Sequence, residues 1–207
     1  MIQQAPHDPR PYDPREERTT RRLTQAVLAM AAERDITHAS VAELTRQAGI
    51  NRSTFYAHAV SPVAFLTRVL HAELDVVRRR TQDDMQDKGL LTRDVARQTL
   101  DQIVDHVERR IDIYGGIDRP SSRYALRVVL AEHVEQSVLH MLRSGFAQPP
   151  VPGPAFEAMF ASYVAHGVVG AVEAWLRLPA PRRHATLIDA VEQMYPAWYA
   201  PAAPQIS

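Results

Sequence analysis

Cysteine is absent from the 207-residue chain, which excludes disulfides, thiolate nucleophiles and cysteine-ligated zinc. Lysine occurs once, at Lys88, so almost all positive charge is carried by arginine. An excess of either sign is missing too, since 24 basic residues face 24 acidic ones. Bulk attraction to a polyanion is therefore not on offer, and any nucleic-acid contact has to come from local placement. Even residues 1–58 hold eight arginines against seven carboxylates, a balance of +1. No uninterrupted apolar run approaches a bilayer span, and the N-terminus MIQQAPHDPRPYDPREE lacks the apolar core of a signal peptide. A cytoplasmic protein without membrane partners is the expectation. There is no glycine-rich phosphate loop, no Gly-x-Ser-x-Gly elbow, no strand alternation and no internal repeat.

What the chain does have is a punctuated stretch from Ser40 to His58, SVAELTRQAGINRSTFYAH. Ser40 followed three residues later by Glu43 is a capping box, in which each side chain satisfies an otherwise unpaired backbone N–H. Val41, Leu44 and Ala48 give one apolar face of a short helix. Gly49 stops it, because glycine takes the left-handed backbone without steric cost. Asn51 is a good N-cap for a second short helix, with Phe55 inward and Arg52, Ser53 and Tyr56 on its outer face. Helix, glycine turn, helix with a polar and aromatic face is the helix-turn-helix layout, although an ordinary helical hairpin satisfies the same spacing.

The residues LTRQAGINRSTFYAH, Leu44 to His58, resemble the signature of the TetR family of bacterial transcriptional regulators. The resemblance extends loosely over residues 16–199. It departs at Ala59, where the family usually has phenylalanine, and at Pro62, where it usually has a lysine close to a DNA phosphate. Thr45 stands for the usual alanine.

The chain in order then predicts an all-α protein: an N-terminal three-helix helix-turn-helix head and a helical C-terminal body. Proline-rich residues 1–14 read as a disordered arm, 15–60 as the DNA-binding head, 61–199 as the body and 200–207 as a tail. In the first helix Leu23, Ala26, Val27 and Met30 form the buried stripe. Ser61-Pro62 opens a long fourth helix that runs to Gly89. Thr92 or Asp94 opens a fifth, and HVERRIDIYGG, His106 to Gly116, resembles the place where the family's helix breaks. Ser121 or Ser122 opens a helix reaching Ser144. Two final helices follow, at Ala155–Leu178 and Arg182–Tyr199.

The resemblance implies roles. Ser40, Arg52, Ser53, Thr54, Tyr56 and His58 are the expected DNA-binding residues. Arg52 has the fork to read guanine O6 and N7, and Thr54, Tyr56 and His58 match phosphate and sugar contacts. YVAHGVVGAVEAWLRLP, Tyr163 to Pro179, resembles the family's C-terminal region, which pairs with its copy in a second subunit. Tyr163, Gly167, Gly170, Trp175, Ile188 and Val191 are the expected homodimer interface, with close packing inside one subunit as the alternative for the two glycines. An effector pocket for an unknown small molecule is expected near His71, His106, Tyr114, Tyr124 and His133. The implied function is a ligand-responsive regulator, expected to repress, on a pseudo-palindromic operator.

A second class is a helical enzyme or small-molecule binder without DNA binding. AEHVEQSVLH and the Asp105-His106 pair supply acids and imidazoles, but in no established metal spacing. No catalytic residue, metal or cofactor is assigned. A helical adaptor would leave the polar face after Gly49 without a purpose.

Overall fold

The computed structural model describes residues 14–88, 92–116 and 118–199. The arm expected over 1–14 lies outside them but for Pro14, as does the tail 200–207. Among the described residues there is no strand, and the protein is all-α.

Helix α1 (Pro14–Glu33) buries Leu23, Val27 and Met30 on one stripe. A single 3₁₀ turn (Ile36–His38) then leads into α2 (Val41–Ala48) and α3 (Arg52–Tyr56). Ile36, Leu44 and Phe55 meet that stripe with no exposed surface. Burying Phe55 alone is worth about 1.5–3 kcal/mol relative to leaving it in water.

Helix α4 (Pro62–Lys88) opens as its sequence requires: the Ser61 hydroxyl accepts from Ala64 N–H at 3.1 Å, with proline in the first turn. Its first half carries Phe65, Leu66 and Leu70 into the same apolar core, with Phe65 tilted against Phe55 at 6.3 Å. So α4 is the beam on which the head sits. Helix α5 (Thr92–Arg109) packs along it and breaks at Arg110 into the one-turn α6 (Ile111–Tyr114). Gly115 is required there by crowding, since a Cβ would lie 2.6 Å from the Ile111 carbonyl oxygen.

Helix α7 (Pro120–Tyr124) continues through a π-helical stretch, Ala125–Leu130, into α8 (Ala131–Arg143). The Arg119 guanidinium, just before α7, donates to the Ala32 carbonyl near the end of α1 and ties body to head. Helix α9 (Pro154–Leu176) lies along α8, and α10 (His184–Met194) closes the bundle against α5 and α9. Arg97 of α5 holds α10 through Asp189 and Glu192 at 3.1 and 2.6 Å.

By length and composition α9 is apolar enough to cross a membrane. No uninterrupted run shows this, because Glu157, Ser162, His166 and Glu173 break the helix's apolar sequence. Glu173 is bound by Arg127 at 2.8 Å, and α9 buries Val164, Val168, Val172 and Trp175 within the bundle. The opposite side of α9, with Met159 at 67% and Tyr163 at 71% exposed, is open and also apolar.

Candidate nucleic-acid interface and effector site

The turn between α2 and α3 is built almost entirely by local hydrogen bonds. Ser40 N–H donates to Glu43 Oε2 at 2.9 Å and Glu43 N–H to Ser40 Oγ at 3.2 Å, completing the capping box. The Ser40 backbone bond, then the Arg34 guanidinium 3.2 Å away, draw the Glu43 carboxyl down to about 2, so it stays charged. Gly49 sits at φ 65°, ψ 38° and ends α2 in the left-handed region that favours glycine. The guanidinium of Arg22 lies against that glycine. The Asn51 carboxamide oxygen then accepts from Thr54 N–H and Ser53 O–H, each at 2.7 Å.

The result is a one-turn helix, α3, with its polar side outward. Arg52 and Ser53 are exposed, Tyr56 is 59% exposed, and Thr54 and His58 are half-buried. Phe55 is the anchor beneath them. Arg68 of α4 donates to the His58 carbonyl and stacks on Phe65 at 4.9 Å, bracing the end of α3. No local spacing marks that brace, because it joins positions ten residues apart across a loop.

Two expected DNA contacts are modified by this geometry. The Ser40 hydroxyl donates to the Glu43 carboxylate at 3.0 Å while accepting from Glu43 N–H. It is spent on the cap, and the charged carboxylate over the start of α2 opposes a phosphate there. Ser40 therefore shapes the turn through its cap bonds. Ser53 has its proton on Asn51 and keeps only acceptor capacity. Pro62 is buried at the start of α4, so the phosphate-side cation of the resembled family is missing at that position.

In the body the expected effector residues divide. His106 is 1% and Tyr114 0% exposed, with His106 Nε2 2.9 Å from the Tyr114 hydroxyl. An Nδ1–H facing Glu73 at 3.7 Å leaves Nε2 to accept from the tyrosine. Burial holds the His106 imidazole down to about 4, and pushes the Tyr114 hydroxyl well above its ordinary value. Glu73 is itself bound on two oxygens by Arg110.

His133, 3% exposed on α8, has both ring nitrogens buried without a hydrogen-bond partner. Burial again lowers it to about 4; Arg78 lowers it further and Asp75 acts the other way. His71 stands half-buried, 3.1 Å from Glu132. Tyr124 does not join this group. It is 44% exposed, because the chain takes it round the outside of α7 while Ser121 and Ser122 turn in.

The six residues expected at a subunit interface also divide. Trp175, Ile188 and Val191 are each 3% exposed within one chain and belong to its core, with the Trp175 indole N–H on the Arg183 carbonyl at 3.2 Å. Tyr163, Gly167 and Gly170 lie on the open side of α9. A Cβ at either glycine would meet nothing within 4 Å, so close packing inside the subunit does not explain them. A surface groove of about 510 Å³ between α5 and α10 is lined by charged residues, Arg97, Asp101 and His184 among them. Among the described residues no group of three or more histidines or carboxylates could hold a metal ion.

At the level of sequence no family model matches the chain, and no curated protein does. Solved structures do match. A putative TetR-family transcriptional regulator from Syntrophomonas wolfei covers 91% of this chain and 98% of its own at 14% identity, with a TM-score of 0.61. RolR in complex with resorcinol covers 93% and 98% at 19% identity, with a TM-score of 0.58. The transcriptional regulator FadR from Bacillus subtilis, in complex with stearoyl-CoA, covers 84% and 96% at 12% identity, with a TM-score of 0.57. Head and body thus follow one arrangement over nearly their whole length, and the chain has the fold of the TetR-family transcriptional regulators.

Proposed function

We propose that this chain is a ligand-responsive transcriptional regulator that binds a pseudo-palindromic operator as a homodimer and represses from it. The observation that carries the reading is the α2–α3 turn: a doubly capped, glycine-closed helix-turn-helix whose last helix turns Arg52 and Tyr56 to solvent. Residues 15–60 act as the DNA-binding head and 61–199 as the effector-binding and dimerisation body. Arg52 reads a base edge in the major groove, and Thr54, Tyr56 and His58 fix the register on the backbone.

A second copy covers the open side of α9, with Tyr163, Gly167 and Gly170 at the contact. A helix apolar on both sides is satisfied when both sides are buried. Two-fold pairing is the commonest way to do that. Two structures with this fold are complexes with a ligand, resorcinol in one and stearoyl-CoA in the other, which supports an effector site in this chain. Ligand bound beside α4 tilts that beam and changes the separation of the two recognition helices. The ligand must prefer the DNA-free state for this to release the operator. The setting is cytoplasmic, and the protein is not an enzyme.

The experiment is a mobility-shift titration of the purified chain against DNA from upstream of its own gene, with unrelated DNA as competitor. A specific shift supports the reading. Equal affinity for both DNAs overturns it and favours a helical small-molecule binder.

A further inference from the structure

The fold by itself does not choose the effector, since the same architecture holds molecules as unlike as an acyl-CoA and a dihydroxybenzene. The choice falls to the polar groups inside this body. Among the described residues, His133 has both side-chain nitrogens buried and unpaired. Such a group costs stability that an apolar residue of similar size would not, so its presence points to a partner that arrives later. An independent feature lies directly before it: the π-helical stretch Ala125–Leu130 ends one turn short of His133, and π segments inside helices occur frequently at functional sites.

The arginine acting on His133 is already paired. Arg78 of α4 is held by Asp75 at 2.6 Å, and His71 of α4 lies 3.1 Å from Glu132 of α8. His106 of α5 is occupied by Tyr114. An anion entering beside His133 therefore meets an arginine already neutralised by Asp75. The neighbours of His133 along its own helix, Val129, Leu130 and Val134, are buried and apolar. A neutral imidazole offers one N–H donor and one lone pair, on opposite edges. A carbonyl or ether satisfies only the donor, whereas a hydroxyl satisfies whichever nitrogen it reaches.

We propose that His133 is the recognition residue for the effector, and that the effector is an uncharged, largely apolar molecule bearing a hydroxyl group, bonded through that hydroxyl to the imidazole. This rests on the reading of the body as an effector domain and names the chemistry of its ligand. The pairing of Arg78 with Asp75 disfavours carboxylates and acyl-CoA esters there.

The test uses the full-length chain and a probe panel of phenols and straight-chain alcohols, their methyl ethers and the corresponding carboxylates. Imidazole nitrogen NMR of His133 is followed at neutral pH together with calorimetric affinity. The expected result is a saturable shift of the His133 nitrogens with hydroxylic probes only. Affinity should fall about tenfold in His133→Phe, the equivalent of one lost hydrogen bond, and recover in part in His133→Gln. Either variant remains a folded protein by circular dichroism, because the imidazole it replaces holds no partner. Carboxylates binding at His133 as tightly as the alcohols, ethers matching the alcohols, or no probe reaching His133 would each overturn the proposal. Hydroxylic probes that bind His133 yet leave promoter DNA bound would keep the recognition residue and remove the switch. The two claims therefore fail separately.

Discussion

Asn51 and Thr54 are joined by a 2.7 Å hydrogen bond from the Thr54 backbone N–H to the Asn51 carboxamide oxygen, and the five-residue helix α3 hangs on it. Asn51→Ala should destabilise the protein by about 1 kcal/mol, measured by urea denaturation. Asn51→Asp should restore that stability, since a carboxylate caps as well. It should nevertheless bind operator more weakly, because it sets a negative charge beside the phosphates. Equal operator affinity for Asn51→Asp and the parent would move the DNA away from this turn.

His106 and His133 set a pH limit. Both are buried neutral, with folded values near 4 against 6.5 for an unperturbed imidazole. Their folded values lie below the unfolded one, so the unfolded chain takes up protons first. Stability is fully present above pH 6.5 and is lost as pH falls toward 4. The loss should be about 2–3 kcal/mol for each histidine, read from denaturant midpoints across that range. His133→Phe should remove its share and raise stability at neutral pH by about 1–2 kcal/mol, as the unpaired polar group disappears. A variant less stable than the parent at neutral pH would show that His133 has a partner in the free protein.

Gly167 tests the assembly without disturbing the protomer. A Cβ there meets nothing within 4 Å, so Gly167→Leu leaves the subunit's packing untouched while placing a branched side chain on the open side of α9. Sedimentation should show a folded monomer, and operator affinity should fall because one head reads only a half-site. An unchanged dimer would place the subunit contact on another surface.

The head was legible because its determinants are local. Ser40, Glu43, Gly49 and Asn51 act within four residues of their partners, so spacing alone located both caps and the left-handed turn. The body was legible as helices but not as faces. Trp175, Ile188 and Val191 carry the same apolar signal as Tyr163, and only the packing of α8, α9 and α10 shows which side faces inward. Tyr124 failed for the same reason, one turn of α7 separating it from the buried Ser121 and Ser122. The hydrogen bond between His106 and Tyr114, eight residues apart, needs the break at Arg110 to form. Nothing in the sequence marked the π-helical stretch before His133.

The central claim is that α3 enters a DNA groove, and Arg52 tests it most directly. Operator affinity should be measured by fluorescence anisotropy for the parent and Arg52→Ala, across operator variants changed at one base pair at a time. Arg52→Ala should lose about 1–3 kcal/mol on the parent operator and lose discrimination at one base position in each half-site. Tyr56→Phe, measured alongside, should weaken every sequence alike, as a backbone contact does. Folded Arg52→Ala and Tyr56→Phe proteins that bind every operator variant like the parent would contradict the account.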